Sequence, residues 1–168
     1  MNYNINYYDG LLRNYSNTAE QINKIRWDFV SVVNAKTVLD FGSGVGWFRA
    51  FRPNGIEVDT YDVMDVFQTG ITKNKYDLIT MWDSFEHTYS CDAFIRMGKW
   101  IALTLPIFPG GDITKWKHYK PDEHVRLFKN NEEVVKYFTK LDRQLIKIGT
   151  PECPPRQDIT SFLFKEIG

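Results

Sequence analysis

Residues 38–46 read VLDFGSGVG, and this stretch decides the fold. Residues 37–41 form a short apolar run that ends at glycines, which is the pattern of a buried parallel strand. A short helix is predicted over residues 46–51, before the turn signal at Pro53. A glycine-rich bend between a strand and a helix lets backbone N–H groups approach a ligand closely. The stretch therefore indicates a nucleotide-cofactor site.

Apolar patterns on either side of this stretch alternate between strand and helix. Strands are predicted over residues 57–63, 77–82, 100–105, 144–148 and 160–164. Helices are predicted over residues 18–34, 92–97 and 131–140, and residues 1–17 are predicted to be a loose lead-in. This order predicts a single α/β domain over residues 1–168, with a mostly parallel sheet.

The spacing of the glycines bears on which cofactor binds. A dinucleotide fingerprint needs a third glycine where this chain has Trp47, and no Lys-Ser or Lys-Thr follows to form a phosphate loop. Asp40, two residues before the first glycine, repels a diphosphate and attracts a ligand with ammonium and sulfonium groups. A nicotinamide-dependent oxidoreductase is therefore disfavoured.

Composition limits the function classes further. The 168 residues carry 21 basic and 21 acidic side chains, so nothing in the overall charge favours nucleic-acid binding. The longest apolar stretch, residues 100–108, is less than half the roughly 20 residues of a spanning helix. Neither a secretory signal nor a membrane association is expected. Cys91 and Cys153 lie in no metal-ligand spacing, so we expect a cytoplasmic protein without a metal.

Four segments in order resemble class I S-adenosylmethionine-dependent methyltransferases. Residues 38–46 resemble the first motif of that family, and Asp62 stands where the family places a ribose-binding carboxylate. Residues 76–79, YDLI, with residues 84–87, SFEH, are similar to the fourth-strand motif. Residues 122–128, DEHVRLF, resemble an H-x-R-x-F segment of small-molecule members. The resemblance implies a Rossmann-like three-layer sandwich with a seven-stranded type of sheet, and S-adenosylmethionine as cofactor.

The resemblance also implies a set of site residues, each with a plainer alternative. The loop glycines form either a cofactor cradle or a plain turn, Asp62 is either a ribose ligand or a solvated carboxylate, and Trp82 belongs either to the site or to the core. The predicted cofactor-binding residues are Asp40, Gly42, Ser43, Gly44, Gly46, Asp62, Val63, Trp82 and Asp83.

The histidines carry the predicted acid–base chemistry. His87 and His124 are the candidate catalytic residues, although either one can instead hold loops together through hydrogen bonds. His118 is either a pocket residue or a surface residue.

The chain departs from the family between the second and third predicted strands. Only residues 63–75 lie there, where the family places a helix and a further strand that contacts adenine. The third strand of the family is therefore either absent or shortened to a segment such as residues 65–67, with Asp65 as a weak candidate for the adenine contact.

The predicted function is methyl transfer from S-adenosylmethionine to an oxygen or nitrogen nucleophile of a small molecule. A DNA amino-methyltransferase is disfavoured because residues 83–86, DSFE, contain no proline. The alternative is a cofactor-binding domain without activity of its own, acting as an interaction or regulatory partner, which the shortened chain favours.

Overall fold

Six strands form one sheet in the computed structural model, which describes residues 5–63, 68–152, 156 and 159–168. Within these residues the strands are β1 (Thr37–Phe41), β2 (Glu57–Tyr61), β3 (Tyr76–Trp82), β4 (Gly98–Pro106), β5 (Arg143–Gly149) and β6 (Ile159–Glu166). The α-helices are α1 (Ile5–Val30), α2 (Trp47–Ala50), α3 (Asp92–Ile95) and α4 (Asn131–Thr139). Short 3₁₀ helices cover Ser31–Val33, Phe85–His87 and Ile113–Lys115.

The strand order is β2-β1-β3-β4-β6-β5. The first four strands in this order run parallel, while β6 is antiparallel to both β4 and β5. Parallel strands present their carboxyl ends at one edge of the sheet, which is where open α/β sheets bind ligands. The predicted α/β class with a mostly parallel sheet is confirmed.

Helices cover the sheet on both faces. Successive residues of β1 point to opposite faces, so Val38 packs with Trp27 and Phe48 on the side of α1 and α2. Leu39 packs with Val134 and Phe138 of α4 on the other side. Burial on both faces explains why the central strands read as continuous apolar runs. The three layers match the predicted sandwich.

Helix α1 begins much earlier than the sequence predicts. Residues 5–17 are helical, so the prediction of a loose lead-in over this part of the chain is wrong. The sequence of these residues has no clear apolar period, so it carries no local signal for a helix. Tertiary contacts stabilise the helix here, including the burial of the Tyr8 side chain. The helix ends at Val30 and is followed by the 3₁₀ turn, close to the predicted end.

The described residues between β2 and β3 contain no further strand, which leaves β2 at the edge of the sheet. Side chains attach this segment to β2 instead. Thr60 N donates to Thr69 Oγ1 at 2.9 Å, and Thr69 N donates to Thr60 Oγ1 at 2.8 Å. Thr72 N donates to Asp59 Oδ2 at 3.0 Å. Asp65 and the proposed stand-in over residues 65–67 lie outside the described residues.

None of the described helices combines the length and apolar character needed to cross a membrane.

Candidate cofactor cleft

The glycine loop after β1 depends on conformations that other residues rarely adopt. Gly42, Gly44 and Gly46 have φ angles of 73°, 54° and 80°. A Cβ added at Gly42 would lie 2.3 Å from Ser84 Cβ, so only glycine fits between the loop and the end of β3. Ser43 lies between the first two glycines, and its carbonyl accepts a hydrogen bond from Gly46 N at 2.9 Å. The loop is therefore a closely packed backbone turn at the carboxyl edge of the sheet.

Asp62 follows β2 and faces this loop. Its Oδ2 accepts a hydrogen bond from Gly44 N at 2.7 Å, and its Oδ1 accepts one from the hydroxyl of Tyr8. The sequence brings Asp62 to the loop because β1 and β2 are parallel neighbours. The predicted ribose ligand is thus in the cleft, engaged by the loop and by α1. Val63, the next predicted cofactor contact, is exposed.

Asp40 lies beneath the loop rather than in the open cleft. Its side chain is 2% exposed, and Thr80 Oγ1 donates a hydrogen bond to its Oδ1 at 2.7 Å. Burial raises the pKa of Asp40 to about 7, against the opposing effects of the Thr80 hydrogen bond and of the Arg26 charge. The negative charge of Asp40, which was predicted to attract a cationic ligand, is therefore only partly present at neutral pH.

Asp83 lies at the end of β3, and arginines from two other segments hold it. Arg26 of α1 donates to Asp83 Oδ2 at 2.7 Å, and Arg156 contacts both carboxylate oxygens at 2.6 and 2.8 Å. Both arginines also contact the fully buried Glu152. The arginine charges hold the pKa of Asp83 well below its usual range, against the effect of burial.

Trp82 has its indole in the core rather than at the surface of the cleft. The residue is 6% exposed, packs with the residues of α1 and α2, and contacts Phe48 at 5.4 Å between ring centroids. The guanidinium of Arg26 lies 5.2 Å from the centroid of its ring. Of the two alternatives for this side chain, its position is that of a core residue.

Glu86, His87 and His124 form a second polar group at the carboxyl edge. Val125 N and Arg126 N both donate to the Glu86 carbonyl, at 2.8 and 3.1 Å, which draws the His124 segment to the end of β3. The rings of His87 and His124 meet edge to face, with centroids 4.6 Å apart. The structure thus brings the two predicted catalytic histidines together, with a carboxylate beside them.

Burial changes the protonation of all three groups. It raises the pKa of Glu86 to about 8, with the charge of Asp83 adding to the effect. It lowers the pKa of His87, and it lowers the pKa of His124 to about 4, with the neighbouring His87 as the next cause. Both histidines are therefore neutral at pH 7 and are able to accept a proton.

Tyr7 lies in the first turn of α1 with its side chain 40% exposed. Partial burial raises its pKa, and the charges of Asp62, Glu123 and Asp83 raise it further.

The remaining candidates lie outside this arrangement. His118 is half-buried against Trp116, with ring centroids 5.3 Å apart. Cys91 is buried, and burial raises the pKa of its thiol to about 11, which makes the thiol unreactive at neutral pH. Cys153 lies outside the described residues.

Four residues of this arrangement are not predicted from the sequence: Tyr8, Arg26, Glu152 and Arg156. Most of their partners are far away in the chain, and a helix position or a loop arginine carries no local signal of such a contact.

A methyltransferase-domain family model matches residues 19–138. The chain therefore belongs to this family, and its resemblance to class I S-adenosylmethionine-dependent methyltransferases is confirmed. No curated protein matches the sequence.

Solved structures share the fold at low sequence identity. Human N-acetylserotonin methyltransferase in complex with SAM has a TM-score of 0.68 at 10% identity, over 96% of this chain and 55% of that chain. This chain thus spans about half the length of the human enzyme chain. The N-methyltransferase NodS from Bradyrhizobium japonicum has a TM-score of 0.61 at 12% identity, over 92% of this chain and 99% of that chain. Magnesium protoporphyrin IX methyltransferase from Synechocystis, with bound SAH, has a TM-score of 0.60 at 14% identity, over 88% of this chain and 83% of that chain.

Proposed function

We propose that this protein transfers a methyl group from S-adenosylmethionine to an oxygen or nitrogen nucleophile of a small molecule, acting as a single domain in the cytoplasm. The family and the fold support a methyltransferase, and the similar structures named above include complexes with SAM and SAH. The balance of 21 basic and 21 acidic side chains favours a small molecule over a nucleic acid as the substrate.

The geometry of the glycine loop is the observation that carries this proposal. Gly42, Gly44 and Gly46 all have positive φ angles. Gly42 packs against Ser84, and the backbone of Gly44 faces Asp62. Such a cradle accepts a ligand at van der Waals distance from the backbone, while the carboxylate supplies an acceptor for ribose hydroxyls. Asp40 adds only a partial negative charge beneath the loop, and Arg26 and Arg156 balance the charge of Asp83. The glycine backbone and Asp62 are therefore the main features of the cradle.

For methyl transfer, the protein must mainly align the acceptor with the methyl group and the sulfur of the cofactor. The sulfonium already makes the methyl group electrophilic, so holding acceptor, methyl and sulfur in line supplies the catalysis, worth about 7–11 kcal/mol for well-oriented groups. We assign His87 and His124, which meet at the carboxyl edge of the sheet, to the acceptor side of this arrangement. As neutral imidazoles they take up the proton of an acceptor that must lose one.

Calorimetry with S-adenosylmethionine tests the cofactor site. Gly44→Arg places a long cationic side chain in the cradle at a φ of 54°, and we expect it to abolish binding. Gly55→Arg is the matched control, because Gly55 has a φ of 80°, has open space beside it and precedes the opposite end of β2. Unchanged affinity in the Gly44 variant contradicts the cofactor site.

A second candidate function is a cofactor-binding domain without transfer activity, which serves as a partner for another protein. The engaged carboxylates favour it, because Asp62 already binds Tyr8 and Asp83 already binds two arginines. Incubation with cofactor labelled in the methyl group and a broad panel of acceptors separates the two functions. Binding without transferred label supports the second function, and transferred label supports the first.

A further inference from the structure

The group formed by Glu86, His87 and His124 contains the donor atoms of a metal site. Each residue offers one ligand-type atom, and these atoms all lie within 4.8 Å of one another. No metal is predicted from the sequence, where no metal-ligand spacing occurs. These three residues come from two distant segments, the 3₁₀ helix after β3 and the loop before α4. Their approach is a product of the fold.

Backbone hydrogen bonds fix the two segments against each other. Glu86 O accepts from Val125 N and Arg126 N. The Arg126 guanidinium donates to Phe85 O at 3.1 Å and to Tyr89 O at 2.8 Å, and it lies over the Phe85 ring. The relative placement of the carboxylate and the imidazoles therefore does not depend on a ligand, as a preorganised site requires.

The hydrogen bond of His87 determines which of its nitrogens is available. His87 Nδ1 lies 3.0 Å from the carbonyl oxygen of Glu123, and a carbonyl only accepts, so Nδ1 carries the proton. The lone pair of His87 Nε2 then faces Glu86 Oε1 at 4.0 Å. Metal-binding histidines commonly donate their other N–H to a backbone carbonyl in this way.

Two buried acceptor atoms in the group also point to a cation. Glu86 is 4% exposed, and its Oε2 has no hydrogen-bond partner among the described residues. Within the same part of the chain, His124 Nδ1 is buried and unpartnered as well. Buried polar atoms are normally paired, so these two atoms are available to an ion or a water that binds beside the imidazoles.

The donor set selects the kind of ion. Two imidazoles and one carboxylate suit zinc, manganese, iron and similar divalent ions, whereas calcium and magnesium prefer oxygen ligands. Ligand atoms of a tetrahedral ion with bonds of about 2.1 Å lie about 3.4 Å apart, so side chains whose donor atoms are within 4.8 Å of one another must move slightly closer when the ion binds.

We propose that Glu86, His87 and His124 bind one divalent transition-metal ion, and that a hydroxyl oxygen of the methyl acceptor occupies an open position on that ion. The second half of this proposal rests on the proposed methyl transfer. With the ion bound, the histidine lone pairs serve as ligands, so the ion replaces a histidine base in activating the acceptor. Three protein ligands leave a metal position open, and a metal-bound hydroxyl loses its proton to solvent more readily. The oxygen then forms a bond to the methyl carbon while the carbon–sulfur bond breaks, and sulfur keeps the electron pair as a neutral thioether.

Titration with Co²⁺ tests the metal site directly. Protein freed of metal with a chelator is titrated with Co²⁺, and visible absorption and calorimetry report the number and environment of bound ions. We expect one ion per chain. Glu86→Gln and His124→Ala weaken binding by more than about tenfold, because each removes a ligand. Melting curves of the metal-free variants establish that they fold.

Matched controls separate these three residues from other donors. His118→Ala removes the histidine outside the group, and Glu132→Gln neutralises an exposed glutamate on α4. Both should bind Co²⁺ like the wild type. Absence of stoichiometric binding overturns the site, as does equal binding by wild type, Glu86→Gln and His124→Ala.

Methyl transfer with and without the chelator tests the role of the ion. We expect transfer to a hydroxyl acceptor to fall at least about tenfold without metal and to return when Zn²⁺ or Mn²⁺ is added. Transfer that is indifferent to the chelator overturns the acceptor half of the proposal. S-adenosylmethionine affinity is measured in the same samples. Wild-type protein that binds Co²⁺ but not S-adenosylmethionine contradicts the proposed function alone. Wild-type protein that binds S-adenosylmethionine but not Co²⁺ contradicts the metal site alone.

Discussion

The hydroxyl of Tyr8 donates a hydrogen bond to the carboxylate of Asp62, joining the first turns of α1 to the end of β2. Asp62 Oδ2 is engaged by Gly44 N, so both carboxylate oxygens have partners from the protein itself. A ribose hydroxyl that binds Asp62 must share or replace the Tyr8 contact. In the proposed complex, replacement of the Tyr8 contact would lower the affinity for cofactor by the cost of breaking that hydrogen bond.

Tyr8→Phe is expected to tighten S-adenosylmethionine binding. Removal of the competing hydroxyl frees Asp62, and a hydrogen bond contributes about 0.5–1.5 kcal/mol, so the affinity should rise by about three- to tenfold. Calorimetry measures the change. Tyr15→Phe, an exposed tyrosine on the same helix, is the control. Weaker binding by the Tyr8 variant would instead make the hydroxyl part of the cofactor site.

Gly42→Ala is expected to destabilise the fold by about 2–4 kcal/mol. Its Cβ would lie 2.3 Å from Ser84 Cβ, and its φ of 73° is unfavourable for alanine. Gly55→Ala has the same kind of φ with open space beside it, so it should lose only about 1 kcal/mol. Chemical denaturation measures both variants. Equal losses would show that the contact with Ser84 has no part in the requirement for glycine.

The stability contribution of Asp40 is expected to fall as pH rises. Because its folded pKa is raised to about 7, the folded protein keeps a proton that the unfolded chain releases, and the contribution is lost between about pH 4 and pH 7. As the pH rises from about 4 to 8, the stability of Asp40→Asn should increase relative to that of the wild type by about 2–4 kcal/mol in total.

Denaturation curves across that pH range measure the effect of Asp40, with Asp9→Asn as the control for an exposed carboxylate. Parallel pH profiles for wild type and Asp40→Asn would show that Asp40 is ionised in the folded protein across the range.

Arg156→Met is expected to lower the unfolding free energy by about 1–3 kcal/mol, less than for a fully buried pair because its side chain is 27% exposed. The variant leaves the buried Glu152 and Asp83 with Arg26 as their shared cation. Chemical denaturation measures the loss. Arg52→Met, on the exposed turn after α2, should change stability by less than about 0.5 kcal/mol. A loss of the same size in both would contradict the ion-pair network.

The sequence predicts the strands and the glycine loop well because their signals are local. Residues 37–41 are apolar and end at glycines, and parallel neighbours then bring Asp62 to the loop. Contacts between distant residues give no such signal. The start of α1 depends on Tyr8 meeting a residue 54 positions away, and Asp83 meets Arg156 across 73 positions. Periodicity within a window cannot register either pair.

Strand β6 lies between β4 and β5 in the sheet, although it is the last strand in the chain. The family match ends at residue 138, before both β5 and β6. A recombinant fragment cut to the matched region would therefore present the whole hydrogen-bonding edge of β4 to solvent. Unpaired apolar edges of this kind pair with other chains, so such a fragment should aggregate on expression, and useful truncations must retain the C-terminal hairpin.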